Sequence, residues 1–540
     1  MNNSDFTPWP ETFNQKYIDQ GYWQGEPLAN LIAQASIKYK DNIALICNDK
    51  EYTYQALEDK CIALSIGLKE LGLNSGDKVV VHLPNIAEFY ISFFALLKIG
   101  VQPVLALPAH RFSEINYFCK FVEAKAYLMA PQHGFDSFEL AKKVKDANPN
   151  LESIIYCGQK ELLVNSCDFK SELTFIEDLY QKESYLAKLK LNTFAFFQLS
   201  GGTTGTPKLI PRTDNDYLYS VRASVEVCQF TEQTRYLCVL PAAHNFSLSS
   251  PGALGCFLSG GTVVLTDDPS PSNAFDLIKK HKITVSAVVP PLALLWIELS
   301  KNQKHKLSTL QVLQVGGARL NENTALRIAP ELGCVLQQVF GMAEGLVNYT
   351  RLDDSIDVIV NTQGRPMSDA DEIKIVDNNG VAVKANQAGS LLTRGPYTIR
   401  GYYRAPKHNK QAFTSDGFYI TGDIVVITEE GNIQVVGRDK DQINRGGEKI
   451  AAQEIENYLL DHNAIHDAAI IAVPDDYLGE KSCAVLVCNN ENRPKVIEIK
   501  RFLRNKGLAD FKIPDRIEFL NVLPKTPVGK INKNKLRELL

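Results

Sequence analysis

Apolar positions along this 540-residue chain fall mostly into short continuous runs separated by helical patterns. Lys78-Val-Val-Val-His-Leu83, a helical stretch to Lys98, Gly100 and Val101-Gln-Pro-Val-Leu105 make a strand–helix–strand unit. The pattern returns at 283–289, with an apolar helix after Pro291, and again at 310–315, 321–331 and 334–339. Continuous apolar strands alternating with helices predict parallel sheets covered on both faces. Such sheets bind ligands beyond the carboxyl ends of their strands, where the Gly316 and Phe340 loops fall. From about 360 to 437 the runs alternate instead (372–376, 389–393, 433–436), which predicts half-exposed strands. The last hundred residues read helix, strand, strand, helix, strand, helix. The expected class is α/β: a large domain over 1–438, with parallel α/β subdomains at about 1–190 and 190–360 and a β-rich one at 360–437. The charged break Asp439-Lys-Asp441 then leads to a small α+β domain, 442–540.

Composition narrows the function classes. At 45% hydrophobic residues the chain can bury a large core. A formal net charge of −4 argues against a nucleic-acid binder, which carries a basic surplus. The start Met1-Asn-Asn-Ser-Asp-Phe lacks a signal peptide's pattern, and no uncharged apolar run reaches spanning length. The eleven cysteines include no Cys-x-x-Cys pair, and Cys47, Cys238 and Cys256 lie in apolar runs. A reducing cytoplasm is the expected location.

The densest chemistry is Ser200-Gly-Gly-Thr-Thr-Gly-Thr-Pro-Lys208, after the apolar run Phe194-Ala-Phe-Phe-Gln-Leu199. Glycines turn backbone N–H groups toward an anion, hydroxyls donate and Lys208 supplies charge. Thr206-Pro207 before the lysine excludes a Walker loop. Alone, the run also fits a Gly/Thr-rich hairpin turn. Further motifs follow in order: Gly316-Gly-Ala-Arg319, Val339-Phe-Gly-Met-Ala-Glu-Gly345, Tyr419-Ile-Thr-Gly-Asp423, Gly437-Arg-Asp-Lys-Asp-Gln442, Asn444-Arg-Gly-Gly-Glu-Lys449 and Pro524-Lys-Thr-Pro-Val-Gly-Lys530.

In this order and spacing the motifs resemble the adenylate-forming superfamily, from about residue 30 to the end. The resemblance implies a barrel-like β subdomain, a small mobile C-terminal domain, and ATP and Mg²⁺ as cofactors. Ser200, Gly201, Gly202, Thr203, Thr204 and Lys208 would grip the β- and γ-phosphates. Glu344 would hold Mg²⁺, a hard carboxylate for a hard cation. Gly317, Ala318, Arg319, Val339, Phe340, Gly341 and Met342 would form the nucleotide slot; where many relatives have Tyr, Phe340 must work by stacking. Asp423 would accept from both ribose hydroxyls, with Arg438 nearby. Lys530 would bridge the substrate carboxylate and the α-phosphate, although a lysine in such a tail is otherwise a solvated one. Lys440 would be the hinge for a swing of the small domain, which brings Gly446 and Gly447 in to line a thiol tunnel.

Pro241-Ala-Ala-His-Asn-Phe-Ser-Leu-Ser-Ser-Pro-Gly252 speaks to the acid. Amino-acid-activating relatives place an Asp here to pair an ammonium; this chain has Asn245, suited to a phenolic hydroxyl. With Gly341-Met-Ala-Glu-Gly-Leu-Val-Asn348, the segment resembles the 2,3-dihydroxybenzoate–AMP ligases of siderophore assembly. The resemblance implies that His244 flanks the carboxylate and Asn245 meets the 2-hydroxyl. Phe246, Ser250, Gly316, Ala343 and Val347 would complete an aryl-acid pocket. Phe246 and Ser247 depart from the more usual Tyr-Pro. A salicylate ligase and an aryl- or acyl-CoA ligase share these nucleotide motifs, and a non-catalytic nucleotide binder is the different-class alternative. No carrier domain follows Leu540, so the phosphopantetheinyl thiol is expected from a separate aryl carrier protein.

Overall fold

The computed structural model describes residues 5–540 except 133, 159–171, 182–193, 201–207, 378, 439–440, 446–447, 476–477, 490–492, 507, 509–511 and 527–528. Two large sheets carry the α/β part. In the nine-stranded sheet, Val335–Gly341, Val312–Gly316, Val285–Val288, Arg235–Cys238, Thr262–Leu265 and Ile43–Cys47 lie side by side in parallel. Val347–Tyr349 and Arg365–Pro366 close one edge and Lys50–Thr53 the other, all antiparallel. The seven-stranded sheet runs Leu173–Phe175, Ser153–Tyr156, Ala126–Met129, Lys78–His82, Gln102–Leu105, Phe196–Leu199, Leu209–Arg212, with only the last pair antiparallel.

The division expected near residue 190 does not follow the sheets. Residues 43–53 pair with the nine-stranded sheet, while 196–212 pair with the seven-stranded one. The sheets thus exchange strands, and one hydrophobic core runs through both, from Leu28 and Phe93 to Phe196 and Tyr349. Apolar periodicity reports that a strand is buried but not which sheet buries it, so this pairing lies beyond a local reading.

The β-rich segment is a four-stranded antiparallel sheet, Glu372–Val376, Ala388–Arg394, Tyr419–Ile427 and Ile433–Arg438. The last hundred residues begin with the hairpin Gln442–Arg445 and Glu448–Ala451. They continue as helix Ala452–Leu460, strands Ile465–Asp475 and Gly479–Cys488, helix Val496–Asn505, strand Arg516–Phe519 and helix Lys533–Leu539. This unit has its own apolar clusters, around Ile455 and Leu486 and around Ile471 and Leu536. Asn323 Nδ2 donates to Asp461 Oδ1 at 2.5 Å, tying it to the helix after strand Val312–Gly316. The ten described cysteines are free, nine of them buried. Among the described residues no helix is long and apolar enough to cross a membrane.

Candidate active site

Three neighbouring loops at carboxyl ends of the nine-stranded sheet carry the acid-side residues. After Arg235–Cys238 the chain is held by Asn85, whose amide donates to the carbonyls of Leu240 at 2.9 Å and Thr266 at 2.9 Å and accepts from Ala242 N at 2.7 Å. Asn85 follows a strand of the other sheet, so this side chain locks the two sheets together where the loop begins. His244 then caps a short helix, Asn245–Ser249, its Nδ1 accepting from Phe246 N at 3.2 Å. That bond leaves the imidazole proton on Nε2. Burial, and secondarily the ammonium of Lys530, push the imidazole down to about 4. His244 is therefore neutral at pH 7, and the tail lysine lies close enough to act on it.

Lys530 is delivered by a tight turn in which Gly529 takes φ +80°. Thr526 N donates to the Lys530 carbonyl at 2.6 Å, and Lys530 N to Thr526 Oγ1 at 3.2 Å.

Asn245 is half-buried, and its side-chain oxygen is engaged from behind. Tyr217 donates to Oδ1 at 3.0 Å, Ser249 Oγ lies 3.2 Å from it, and Gln198 Nε2 donates to the Tyr217 hydroxyl at 3.3 Å. Phe246 is buried with its ring against Gly316, where an added Cβ would lie 2.7 Å from Val339 O and 3.1 Å from Phe246 Cζ. Only glycine fits there. Val347 is buried and pairs with Gly341 across the strand edge. Ser250 is 4% exposed and lies near Tyr349, whose hydroxyl donates to Ser224 Oγ at 2.9 Å.

The nucleotide-side residues gather around an aromatic hydroxyl that the motifs did not reveal. Tyr402 donates to Glu344 Oε1 at 2.8 Å and meets the Tyr419 hydroxyl at 3.0 Å, while Lys208 Nζ sits 5.8 Å over its ring. Burial and the Glu344 carboxylate push the Tyr402 phenol up, so it stays a donor. Arg212 Nη1 donates to the Ala343 carbonyl at 2.9 Å and pairs with buried Asp216 at 3.0 Å, joining the sheet edge to the Glu344 loop. The 200–208 segment connects the antiparallel strands Phe196–Leu199 and Leu209–Arg212. Ser200 closes it: Lys208 N donates to Ser200 Oγ at 2.9 Å. Gly201, Gly202, Thr203 and Thr204 lie outside the described residues, as do Lys440, Gly446 and Gly447.

Asp423 is 3% exposed, four residues along the strand from Tyr419 and in register with Arg438. Gly317 takes φ +82° and turns the chain so that Ala318 is exposed and Arg319 half-buried. Phe340 and Met342 pack partly against the cluster of Leu346, Leu391 and Val425 on the four-stranded sheet. Tyr419 opens a run already noted for Asp423, so its place was open to a sequence reading. Tyr217 and Tyr402, two of 21 tyrosines, gave no local sign.

A Mg²⁺ bound with a nucleotide needs one or two protein carboxylates, because phosphates and waters supply the rest. Buried Glu344, oriented by Tyr402 and near the Lys208 cation, fits that demand. Among the described residues no three His, Cys, Asp or Glu side chains gather as a resident metal centre would require.

The chain is similar to known proteins along most of its length. Residues 32–403 match the AMP-binding enzyme family and 454–530 the AMP-binding enzyme C-terminal domain. The chain is 55% identical to the vibriobactin-specific 2,3-dihydroxybenzoate-AMP ligase of Vibrio cholerae, over 99% of this chain and 97% of that one. It is 51% identical to the 2,3-dihydroxybenzoate-AMP ligase of Bacillus subtilis, again over 99% and 97%. The apo structure of Mycobacterium smegmatis MbtA is similar with a TM-score of 0.76, 40% identity and full coverage of both chains.

Proposed function

The chain belongs to the AMP-binding enzyme family, and on that premise we propose that it activates 2,3-dihydroxybenzoate with ATP and passes the aryl group to a carrier-protein thiol in siderophore assembly. The observation that carries this reading is the tail lysine acting on His244, which brings a cation from the small C-terminal unit to the acid-side loop. A carboxylate cannot transfer its acyl group to a thiol directly, since oxide is too poor a leaving group. One carboxylate oxygen instead attacks the α-phosphorus of ATP. The bond from that phosphorus to the bridging oxygen breaks, pyrophosphate leaves with the electron pair, and a mixed anhydride remains.

The protein's part is to hold two anions in line and absorb charge. Lys530 bridges carboxylate and α-phosphate. His244, neutral with its proton on Nε2, donates a hydrogen bond near the carboxylate and is no base, because an ionised acid has no proton to give up. Lys208, Ser200 and the intervening loop hold the outer phosphates, and Asp423 holds the ribose. Glu344 would hold Mg²⁺, whose charge would offset that of the phosphates. Asn245 meets the 2-hydroxyl between the walls made by Phe246, Gly316 and Val347, with Ser250 behind.

In the second step the small domain turns about Lys440, the lysine withdraws and Gly446-Gly447 lines the thiol's approach. The pantetheinyl sulfur attacks the acyl carbon, losing its proton, and AMP leaves. The partner is a separate aryl carrier protein, and the setting is the cytoplasm, where buried free cysteines stay reduced.

ATP–pyrophosphate exchange with 2,3-dihydroxybenzoate, salicylate, benzoate, a medium-chain fatty acid and several amino acids tests the reading. Exchange should be fastest with the two 2-hydroxy acids and absent with amino acids. Exchange driven best by an amino acid or the fatty acid refutes it.

A further inference from the structure

We infer that Tyr217 is a positioning residue that fixes the polarity of Asn245, so that the pocket selects acids whose 2-substituent accepts a hydrogen bond and rejects those whose 2-substituent donates one. The inference rests on the proposed aryl-acid reading and adds a rule of selection to it.

An asparagine amide presents an acceptor at one end and two donors at the other. Tyr217 decides which end faces inward. Its ring is 1% exposed, set edge-on to Phe196 at 4.7 Å, with the Arg212 guanidinium 5.1 Å from its centroid. The helix that bears it is anchored by a reciprocal cap, Thr213 and Asp216 each accepting from the other's backbone N at 3.1 Å. Gln198 Nε2 donates to the phenol oxygen at 3.3 Å, so the phenol proton goes to Asn245 Oδ1 at 3.0 Å. With Ser249 Oγ also 3.2 Å from that oxygen, the amide is left with its NH₂ as the group to offer a ligand. Burial raises the Tyr217 phenol to about 12, which keeps its proton in place at neutral pH.

The chemistry of ortho-substituted benzoates then decides. In a 2-hydroxybenzoate the phenol proton is committed to the adjacent carboxylate, so the 2-oxygen turns lone pairs outward and accepts from the NH₂. In 2-aminobenzoate one N–H serves the carboxylate and the other points outward, donor against donor, and the nitrogen lone pair is delocalised into the ring.

Exchange kinetics with 2-hydroxybenzoate, 2-aminobenzoate and benzoate test this on the full-length protein and on Tyr217→Phe, which keeps the ring and removes one oxygen. The unaltered protein should prefer hydroxy over amino by more than about tenfold in kcat/KM. In Tyr217→Phe the amide is free to turn, and that ratio should fall by about 5- to 20-fold while benzoate is little changed. A uniform loss for all three acids, an unchanged ratio, or an unaltered protein that prefers the amine overturns the inference alone. No exchange with any aryl acid overturns the functional reading and the inference with it.

Discussion

On the proposed nucleotide side of the site the groups assigned to recognition are ionic and stand in motif runs: Lys208, Glu344, Asp423. On the acid side they are neutral, and Gln198 and Tyr217 join Asn245 and Ser249 only through the fold. The difference follows from the ligands. Phosphates carry formal charge, which a lysine or carboxylate meets from a range of angles. A phenolic oxygen is neutral, and a hydrogen bond to it is selective only if the partner's orientation is fixed by groups that are themselves immobile. The nucleotide side should therefore fail alike for every acid, and the acid side acid by acid.

Lys530 aside, the largest expected effect is that of Glu344→Gln, which keeps the shape and removes the charge. Exchange should fall on the order of 10²–10³ with every accepted acid, and a loss confined to one acid would blur the division. Asn245→Ala should cost 2-hydroxy acids about 1–3 kcal/mol in kcat/KM and leave benzoate nearly unchanged. Equal losses would make Asn245 a packing residue. Tyr402→Phe should slow exchange about tenfold for all acids and raise the Mg²⁺ concentration needed for half-maximal rate, since a hydrogen bond to a charged group is lost. An unchanged Mg²⁺ requirement would separate Tyr402 from the metal carboxylate.

The smallest effect on rate is expected at Asp371, behind the acid-side wall. Tyr397 donates to Asp371 Oδ2 at 2.5 Å and accepts from Val347 N at 3.2 Å. Burial raises the Asp371 carboxyl from 3.8 to about 8. The folded protein thus keeps a proton that the unfolded chain sheds, and stability from this group, full below 3.8, is lost as pH rises through 8. Asp371→Asn cannot titrate, so its melting-temperature gain over the unaltered protein should grow from pH 5 to pH 8. A gain independent of pH would contradict the raised carboxyl.

The same contrast explains what the amino-acid sequence disclosed. Strands such as Lys78–His82 and Val312–Gly316 were legible because a doubly covered strand must be apolar throughout. The charged motifs were legible because lysines, acids and glycines in that order serve few purposes other than holding a nucleotide. The exchange of residues 43–53 and 196–212 between sheets was not, since both sheets ask the same of a strand. Tyr217, Tyr402 and Asn85 were not either. Asn85 acts on a partner 157 residues away, Tyr402 on one 58 away and Tyr217 on one 28 away, each through an atom whose role depends on a fold the local pattern does not encode.

In the proposed mechanism the two sides meet at Lys530, and one variant reads that meeting most directly. Lys530→Ala should lose ATP–pyrophosphate exchange on the order of 10²–10³-fold or more, yet still form thioester on the carrier protein from supplied aryl-adenylate at close to the unaltered rate. A folded Lys530→Ala protein that retained full exchange, or lost both half-reactions equally, would contradict the account.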